Sequence, residues 1–235
     1  MSATTTNSPP IAIPEIPQDV QKLLISYLNL RAAIGVCAIG LPITVLSVGA
    51  LYGIPQQSSI SAYYHVEQTR NIFVAALCAI GVFLLTYNGY KSEKYLNKIM
   101  GLAAIGVAFF PTSTPSTPRP SLEYNIGMLH NISAVILFLG MTFLSYYWFP
   151  KNQSATKDLT SKDKQRNARG YQACALVIAA ALVFFAARAL IYLVFLRQKI
   201  PNDSTLFWVE LVSILAFGVA WFIKSHAISR VVKML

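Results

Sequence analysis

A few histidines, hydroxyls and charged side chains with the chemistry for a functional site are set among long apolar stretches. The run 58–65 reads Ser-Ser-Ile-Ser-Ala-Tyr-Tyr-His, and if it continues as helix, Ser61 and His65 share one face at i, i+4. Three more ionisable side chains lie within apolar stretches, where such groups are costly and often mark functional sites. The candidate site residues are therefore Ser61, Tyr64, His65, His130, Arg188 and Glu210.

Two enzyme chemistries are open to these residues. His65, His130 and Glu210 form a set of two histidines and one carboxylate, which can hold a catalytic zinc with water in the open position. Such a zinc lowers the pKa of its water enough to attack an ester, amide or phosphoester bond of a lipid. Without a metal, Ser61 would serve as nucleophile and His65 as its base.

Binding and structural roles fit the same residues. Arg188 and the two histidines suit an anionic headgroup or a small acid, with Tyr64 beside them. Tyr64 equally suits the belt of aromatic residues found at a membrane surface. Arg188 and Glu210 lie on consecutive apolar stretches at similar depth, so an ion pair between them would fix the register of two helices.

The elements that must position these residues are membrane-spanning helices. Of the 235 residues, 55% are hydrophobic and only 12% are charged, roughly half the charged share of an average soluble domain. Six apolar stretches approach the roughly 20 residues that a helix needs to cross a bilayer. The predicted fold is an all-α bundle of six transmembrane helices, spanning about 31–53, 71–88, 99–111, 126–149, 171–196 and 205–223.

Basic residues set the predicted orientation. The chain holds 19 Lys and Arg against 9 Asp and Glu, and most of the basic residues lie in alternate connections between spans. By the positive-inside rule, this pattern places both termini in the cytoplasm, and the expected location is the plasma (inner) membrane. Since orientation accounts for the basic excess, nucleic acid is excluded as a partner and membrane lipids are the expected one.

The remaining segments complete the predicted organisation. Residues 1–20, rich in Ser, Thr and Pro, are expected to be a flexible tail, and 21–235 a single domain. The loop 111–120 is expected to form a stiff, proline-rich lid over the pocket, and 151–170 to be a polar loop. Only Pro42 interrupts a span and no second half mirrors the first, which disfavours a transporter.

Small residues recur inside the predicted spans. The triplet Ala-Ile-Gly occurs at 38–40, 79–81 and 104–106. Within a membrane, small residues let helix backbones approach closely. The pattern therefore predicts tight helix packing at these positions.

The segment 59–72 resembles a segment of a known membrane family. Its Ser59, His65, Glu67, Thr69 and Asn71-Ile72 are similar to the Ser…His…Glu-Thr…Asn-Ile segment of the adiponectin-receptor branch of the CREST superfamily, with one residue inserted after Glu67. That superfamily also contains the alkaline ceramidases. The resemblance implies a buried zinc and hydrolysis of amide or ester bonds in lipids, with His65 and Ser59 or Ser61 in the site.

The family pattern and this chain differ elsewhere. Members of the superfamily have seven helices and a His-x-x-x-His pair on the last one, whereas this chain has six spans and offers Glu210 there. The run 60–65 also resembles uncharacterised bacterial multi-pass membrane proteins. The prediction is therefore a membrane protein with an outward-facing polar pocket that binds a lipid headgroup or small polar ligand. The alternatives are a metal-dependent membrane lipid hydrolase and a purely structural or partner-binding protein.

Overall fold

All regular elements of the described residues are helices, as predicted. The structure is a computed structural model that describes residues 18–87, 91–114, 116–154 and 160–232. In chain order the helices are α1 Gln18–Leu51, α2 Glu67–Thr86, α3 Lys91–Phe109, α4 Leu122–Phe143, α5 Phe149–Ser154, α6 Ser161–Leu190 and α7 Thr205–Val232. A 3₁₀ turn, Ser61–His65, lies between α1 and α2, and single π-helical turns, Leu144–Trp148 and Ile191–Phe195, extend α4 and α6.

Five of the described helical segments are long and apolar enough to cross a membrane. They are Asn29–Leu51, Glu67–Thr86, Leu122–Asn152, Ser161–Phe195 and Thr205–Ser225. The sixth long helix, α3, has 19 residues but carries several charged side chains in its first two turns. The chain therefore has the composition of a membrane protein, and α3 packs between α2 and α4 within the same bundle.

The helix boundaries differ from prediction in two places. Helix α1 already begins at Gln18, so the last residues of the predicted tail are helical, and 1–17 lie outside the described residues. The prediction of a polar loop over 151–170 was wrong at both described ends of that range, because α5 runs through Ser154 and α6 starts at Ser161. The N–H of Asp163 bonds to the hydroxyl of Thr160 at 3.2 Å, an N-cap that starts α6.

Neighbouring long helices run in opposite directions and form a ring. Helix α1 packs against α2 and α7, α3 packs against α2 and α4, and α6 packs against α4 and α7. The two ends of the bundle are marked by different polar contacts. Ser61 bonds to Glu210 at one end, called here the Ser61 end, and Glu93 pairs with Lys224 at the other, the Glu93 end.

Close helix packing through small residues is confirmed at two of the three triplets. A Cβ on Gly81 of α2 would come within 2.9 Å of the backbone oxygen of Gly101 on α3, and one on Gly106 would overlap Ser133 of α4. A Cβ on Gly40, by contrast, would meet no atom within 4 Å. The glycines thus set the distances between α2, α3 and α4. These closely packed helices surround the site described below.

Candidate functional site

Glu210 anchors the 3₁₀ turn to α7 at the Ser61 end. Its Oε2 accepts a hydrogen bond from the backbone N–H of Ser61 at 3.1 Å, and its Oε1 accepts one from the Ser61 hydroxyl at 3.0 Å. Next to this contact, the backbone N–H of Phe207 donates to the carbonyl of Ser58 at 2.9 Å. The first N–H groups of a helical turn have no hydrogen-bond partner within that turn, and burying such a group without a partner is costly. The buried carboxyl of Glu210 supplies the partner.

An apolar cavity lies directly beneath this contact, between α1, α2, α3, α4 and α7. The enclosed part of its space is about 30 Å³, and the space counted out to its open side is about 510 Å³. The walls are aliphatic and aromatic side chains, among them Leu41, Phe73 and Met141, and the only polar lining residues are Ser61 and Glu210. The predicted polar pocket was therefore wrong in character, because the side chains that line the space are apolar except at one edge.

The two histidines of this end hold the segment that follows α3. His65 Nε2 lies 2.8 Å from the carbonyl oxygen and 3.0 Å from the hydroxyl of Thr112. His130 is buried in α4, and its Nδ1 lies 2.6 Å from the carbonyl oxygen of Phe110. Each histidine thus fixes the start of the proline-rich loop to the bundle, while neither lines the cavity.

Tyr64 packs at the rim of the bundle instead of lining the cavity. Its ring is half-buried and meets the ring of Phe73 edge-on, with 6.5 Å between centroids. The guanidinium of Arg70 lies over the Tyr64 ring, and its Nε donates to the Tyr64 carbonyl at 2.8 Å. A place for Tyr64 in an aromatic belt at a membrane surface stays a prediction.

The predicted ion pair between Arg188 and Glu210 was wrong. Arg188 instead pairs with Asp203 in the connection to α7, and its Nη1 donates to the hydroxyl of Thr205 at 2.7 Å. Glu210 has its hydrogen bonds with Ser61, as described above. The carboxylate that meets Arg188 lies in the short connection between α6 and α7.

Neither predicted catalytic set is assembled. Among the described residues, no three His, Cys, Asp or Glu side chains lie close enough to hold a metal ion, so His65, His130 and Glu210 do not form the predicted zinc site. Ser61 and His65 do not form a nucleophile–base pair either, because Ser61 is buried against Glu210 while His65 is exposed and bonded to Thr112.

The reason lies in the local conformation of the run 58–65. In a 3₁₀ turn, residues advance by about 120°, so positions four apart point in different directions, unlike those of an α-helix. Val66 then takes an extended conformation, with φ −95° and ψ 118°, which separates the turn from α2. The i, i+4 argument for Ser61 and His65 required a continuous α-helix, and this segment does not form one.

Asp203 gives the connection between α6 and α7 a testable pH dependence. Hydrogen bonds from Thr205, aided by Arg188, lower the pKa of the Asp203 carboxyl from 3.8 to about 2. Since the folded-state pKa is the lower one, the stabilisation is complete above about pH 4 and is lost as pH falls toward 2.

We expect Thr205→Val to raise the pKa of Asp203 more than Arg188→Met does, because the hydroxyl of Thr205, which valine lacks, makes the largest single contribution, while the backbone N–H of residue 205 is kept in both variants. Titration of the Asp203 carboxyl carbon by NMR in ¹³C-labelled protein measures both shifts. A larger shift in Arg188→Met would contradict this ranking.

A second buried polar group, at the Glu93 end, was missed by the sequence analysis. The carboxyl of Glu93 is fully buried and takes hydrogen bonds from Lys224 Nζ at 2.8 and 2.9 Å, from Asn152 at 2.8 Å and from Tyr87 at 3.0 Å. Lys224 also lies 3.9 Å from the ring centre of Phe149. This group, called the Glu93 cluster, joins α2, α3, α5 and α7.

The signal that could have revealed the Glu93 cluster is the spacing on α3. Glu93, Asn97 and Met100 follow at i, i+4 and i+7, and all three are fully buried. In the sequence Glu93 stands among lysines and resembles an exposed helix start. Lys224 was likewise counted as a topology signal, although only 4% of it is exposed.

Comparison with known proteins adds no assignment to either site. No protein-family model matches the chain, and neither do any curated protein or solved structure. The function therefore has to be argued from the geometry alone.

Proposed function

We propose that this is a multi-pass membrane protein that binds a single-chain amphiphile, a long-chain alcohol or amine, in the cavity beside Glu210. The observation that carries the proposal is one buried carboxyl group in the wall of an otherwise apolar cavity. Sites for small molecules commonly have this composition, mostly apolar walls with a few polar groups that fix orientation. The sequence predicts a lipid headgroup or a small polar ligand, and the ligand proposed here is a lipid-like molecule whose polar group is small.

The carboxyl of Glu210 selects the kind of polar group. Each of its oxygens accepts one hydrogen bond from Ser61 and retains capacity for a second. A hydroxyl or an ammonium group can donate to it, whereas a phosphate or a second carboxylate would be repelled. The remaining walls are aliphatic and aromatic side chains, which favour an apolar chain over further polar groups.

A hydrolase has less support than binding. The groups proposed to activate water or a serine, His65 and His130, hold the segment after α3 and do not line the cavity. The resemblance of 59–72 to the CREST superfamily stays a prediction. The other alternative is a purely structural role for the contact between Glu210 and Ser61. The following experiment distinguishes that role from ligand binding.

The proposal is tested by the binding of hexadecanol that carries a photoreactive diazirine. Protein in mild detergent is titrated with the probe, irradiated, and analysed by mass spectrometry of the intact chain. We expect saturable labelling of the wild type and binding about tenfold weaker in Glu210→Gln, because glutamine has one acceptor oxygen where the carboxyl group has two. Glutamine keeps an acceptor for the N–H of Ser61, so the turn remains anchored.

The matched control is Ser61→Ala, which removes one hydroxyl from the same contact but leaves the carboxyl in the cavity wall. It is expected to bind the probe at least as well as the wild type, since it frees an oxygen of Glu210. If labelling of the wild type does not saturate, or if Glu210→Gln binds the probe as tightly as the wild type does, the contact between Glu210 and Ser61 is purely structural. Thermal unfolding of each variant shows that the comparison is made on folded protein.

The finer topology is part of the same proposal. We propose six spans, α3 being the sixth, with both termini in the cytoplasm and the Ser61 end facing outward across the plasma (inner) membrane. Supporting it are the antiparallel neighbours of α3 and the basic residues concentrated at the Glu93 end. Residues 1–17 remain a predicted tail.

Cysteine labelling tests the orientation in a background without Cys37, Cys78 and Cys174. We expect an impermeant thiol reagent, added to intact cells, to modify Gln56→Cys but not Ser161→Cys, both of which replace exposed residues. After permeabilisation both positions should react. The reverse pattern in intact cells would invert the topology.

A further inference from the structure

The cavity beside Glu210 has its open side on one pair of helices. Nearly all of its lining residues are buried, including those from α1, α2, α3 and the 3₁₀ turn. The three that are partly exposed are Ala134 and Phe138 of α4 and Ile214 of α7. The opening of the cavity therefore lies between α4 and α7, which touch each other little and which both pack against α6.

The opening lies at the depth of the hydrocarbon core. Ala134 is 12 residues from the start of α4 and Ile214 is 9 residues from the start of α7, which corresponds to about 14–18 Å along each helix. In a hydrocarbon layer about 30 Å thick, this is near the middle. The neighbouring large side chains are exposed and apolar, with Val135 56% and Leu139 57% exposed.

The Ser61 end of the cavity is closed. Ile60 and Phe207 are 0% and 2% exposed, and the backbone hydrogen bond from Phe207 to Ser58 joins the turn to α7 across this end. Ser61 and Glu210 close the gap below it through their two hydrogen bonds. A ligand from water would have to break these contacts, whereas one dissolved in the bilayer meets the opening directly.

We propose that the ligand reaches Glu210 sideways from the hydrocarbon interior, through the opening bounded by Ala134, Phe138 and Ile214. It is a membrane-dissolved amphiphile whose polar group meets the Glu210 carboxyl while its chain extends through the opening into the bilayer. The carboxyl supplies the hydrogen-bond acceptor that such a group lacks in hydrocarbon. This inference rests on the proposed function and adds to it the source, the route and the orientation of the ligand.

The test uses the protein in lipid nanodiscs and the same diazirine hexadecanol, with the diazirine a few carbons from the hydroxyl. In the wild type, saturable crosslinks are expected on α4 and α7 around Phe138 and Ile214. Ile214→Trp, which fills the opening, is expected to slow labelling at least tenfold. Val219→Trp is the control, because it places the same side chain at an exposed position of α7 that does not line the cavity.

The outcomes separate the route from the function itself. If the wild type binds saturably and Glu210→Gln weakens binding, but Ile214→Trp labels as fast as Val219→Trp, the lateral route is wrong and the cavity site stands. If no variant binds saturably, the proposed function and the route both fall. Ala134→Leu gives a second, smaller obstruction from α4, so that a folding defect in Ile214→Trp does not decide the result.

Discussion

Lys224→Met is expected to destabilise the protein by about 3–5 kcal/mol, because it leaves the carboxyl of Glu93 buried without its cation. The side chain of Glu93 is 0% exposed and that of Lys224 5% exposed, so water cannot replace the lost partner. Asn152 and Tyr87 would still donate hydrogen bonds to the carboxyl, but neither of them supplies a positive charge. Thermal unfolding in detergent, followed by the loss of monodisperse protein on size exclusion, measures the effect.

The double variant distinguishes a buried charge from lost packing. Lys224→Met combined with Glu93→Gln should recover much of the stability, because neither charge of this ion pair remains. Lys151→Met is the control, since that lysine is exposed, lies over the rings of Tyr147 and Trp148 and donates to the Tyr147 hydroxyl at 3.3 Å. A loss in Lys224→Met no greater than in Lys151→Met would show that the Glu93 cluster contributes little to stability.

Gly101→Leu is expected to cost about 3 kcal/mol, because overpacking at this position moves backbone and not only side chains. A Cβ on Gly101 would lie 2.8 Å from the carbonyl oxygen of Gly81 and 3.0 Å from the backbone nitrogen of Leu85, both on α2. Helices α2 and α3 would have to separate, which would also widen the cavity between them. Thermal unfolding in the same detergent measures the loss of stability.

Gly40→Leu is the matched control for Gly101→Leu. A Cβ at Gly40 meets no atom within 4 Å, although the residue belongs to the same Ala-Ile-Gly pattern as Gly81. We expect its unfolding temperature to stay close to that of the wild type. Equal losses at Gly40 and Gly101 would mean that the close approach of α2 and α3 does not limit the stability of the bundle.

Much of the fold could be predicted from the sequence because membrane helices are a local property. A run of about 20 apolar residues satisfies both the bilayer and its own backbone hydrogen bonds as a helix, whatever its neighbours are. The five apolar stretches accordingly coincide with helices, and α3 was found from a shorter stretch. The loop over 151–170 was predicted wrongly because its polar residues have low hydropathy, although Thr160 and Asp163 form the start of a helix.

Part of the candidate site could likewise be predicted from the sequence, and part of it depends on the tertiary structure. Glu210 could be singled out from the sequence because an acid in an apolar span is rare and expensive. Its partner could not, because hydropathy fixes where a helix begins and ends but not its rotation about its own axis. The same uncertainty led to Arg188 as its partner and to His65 and His130 as co-ligands, whereas the hydroxyl and N–H of Ser61 are what it binds.

By itself, then, the sequence determined a helical membrane protein, the approximate limits of its helices, and which polar side chains lie within them. Only the tertiary structure decided which of those side chains meet: Ser61 with Glu210, Arg188 with Asp203, and Glu93 with Lys224. It also decided that the space beside Glu210 is apolar and opens between α4 and α7. The physical reason is that burial in a membrane acts on each helix separately, whereas contacts depend on how helices rotate and pack against one another.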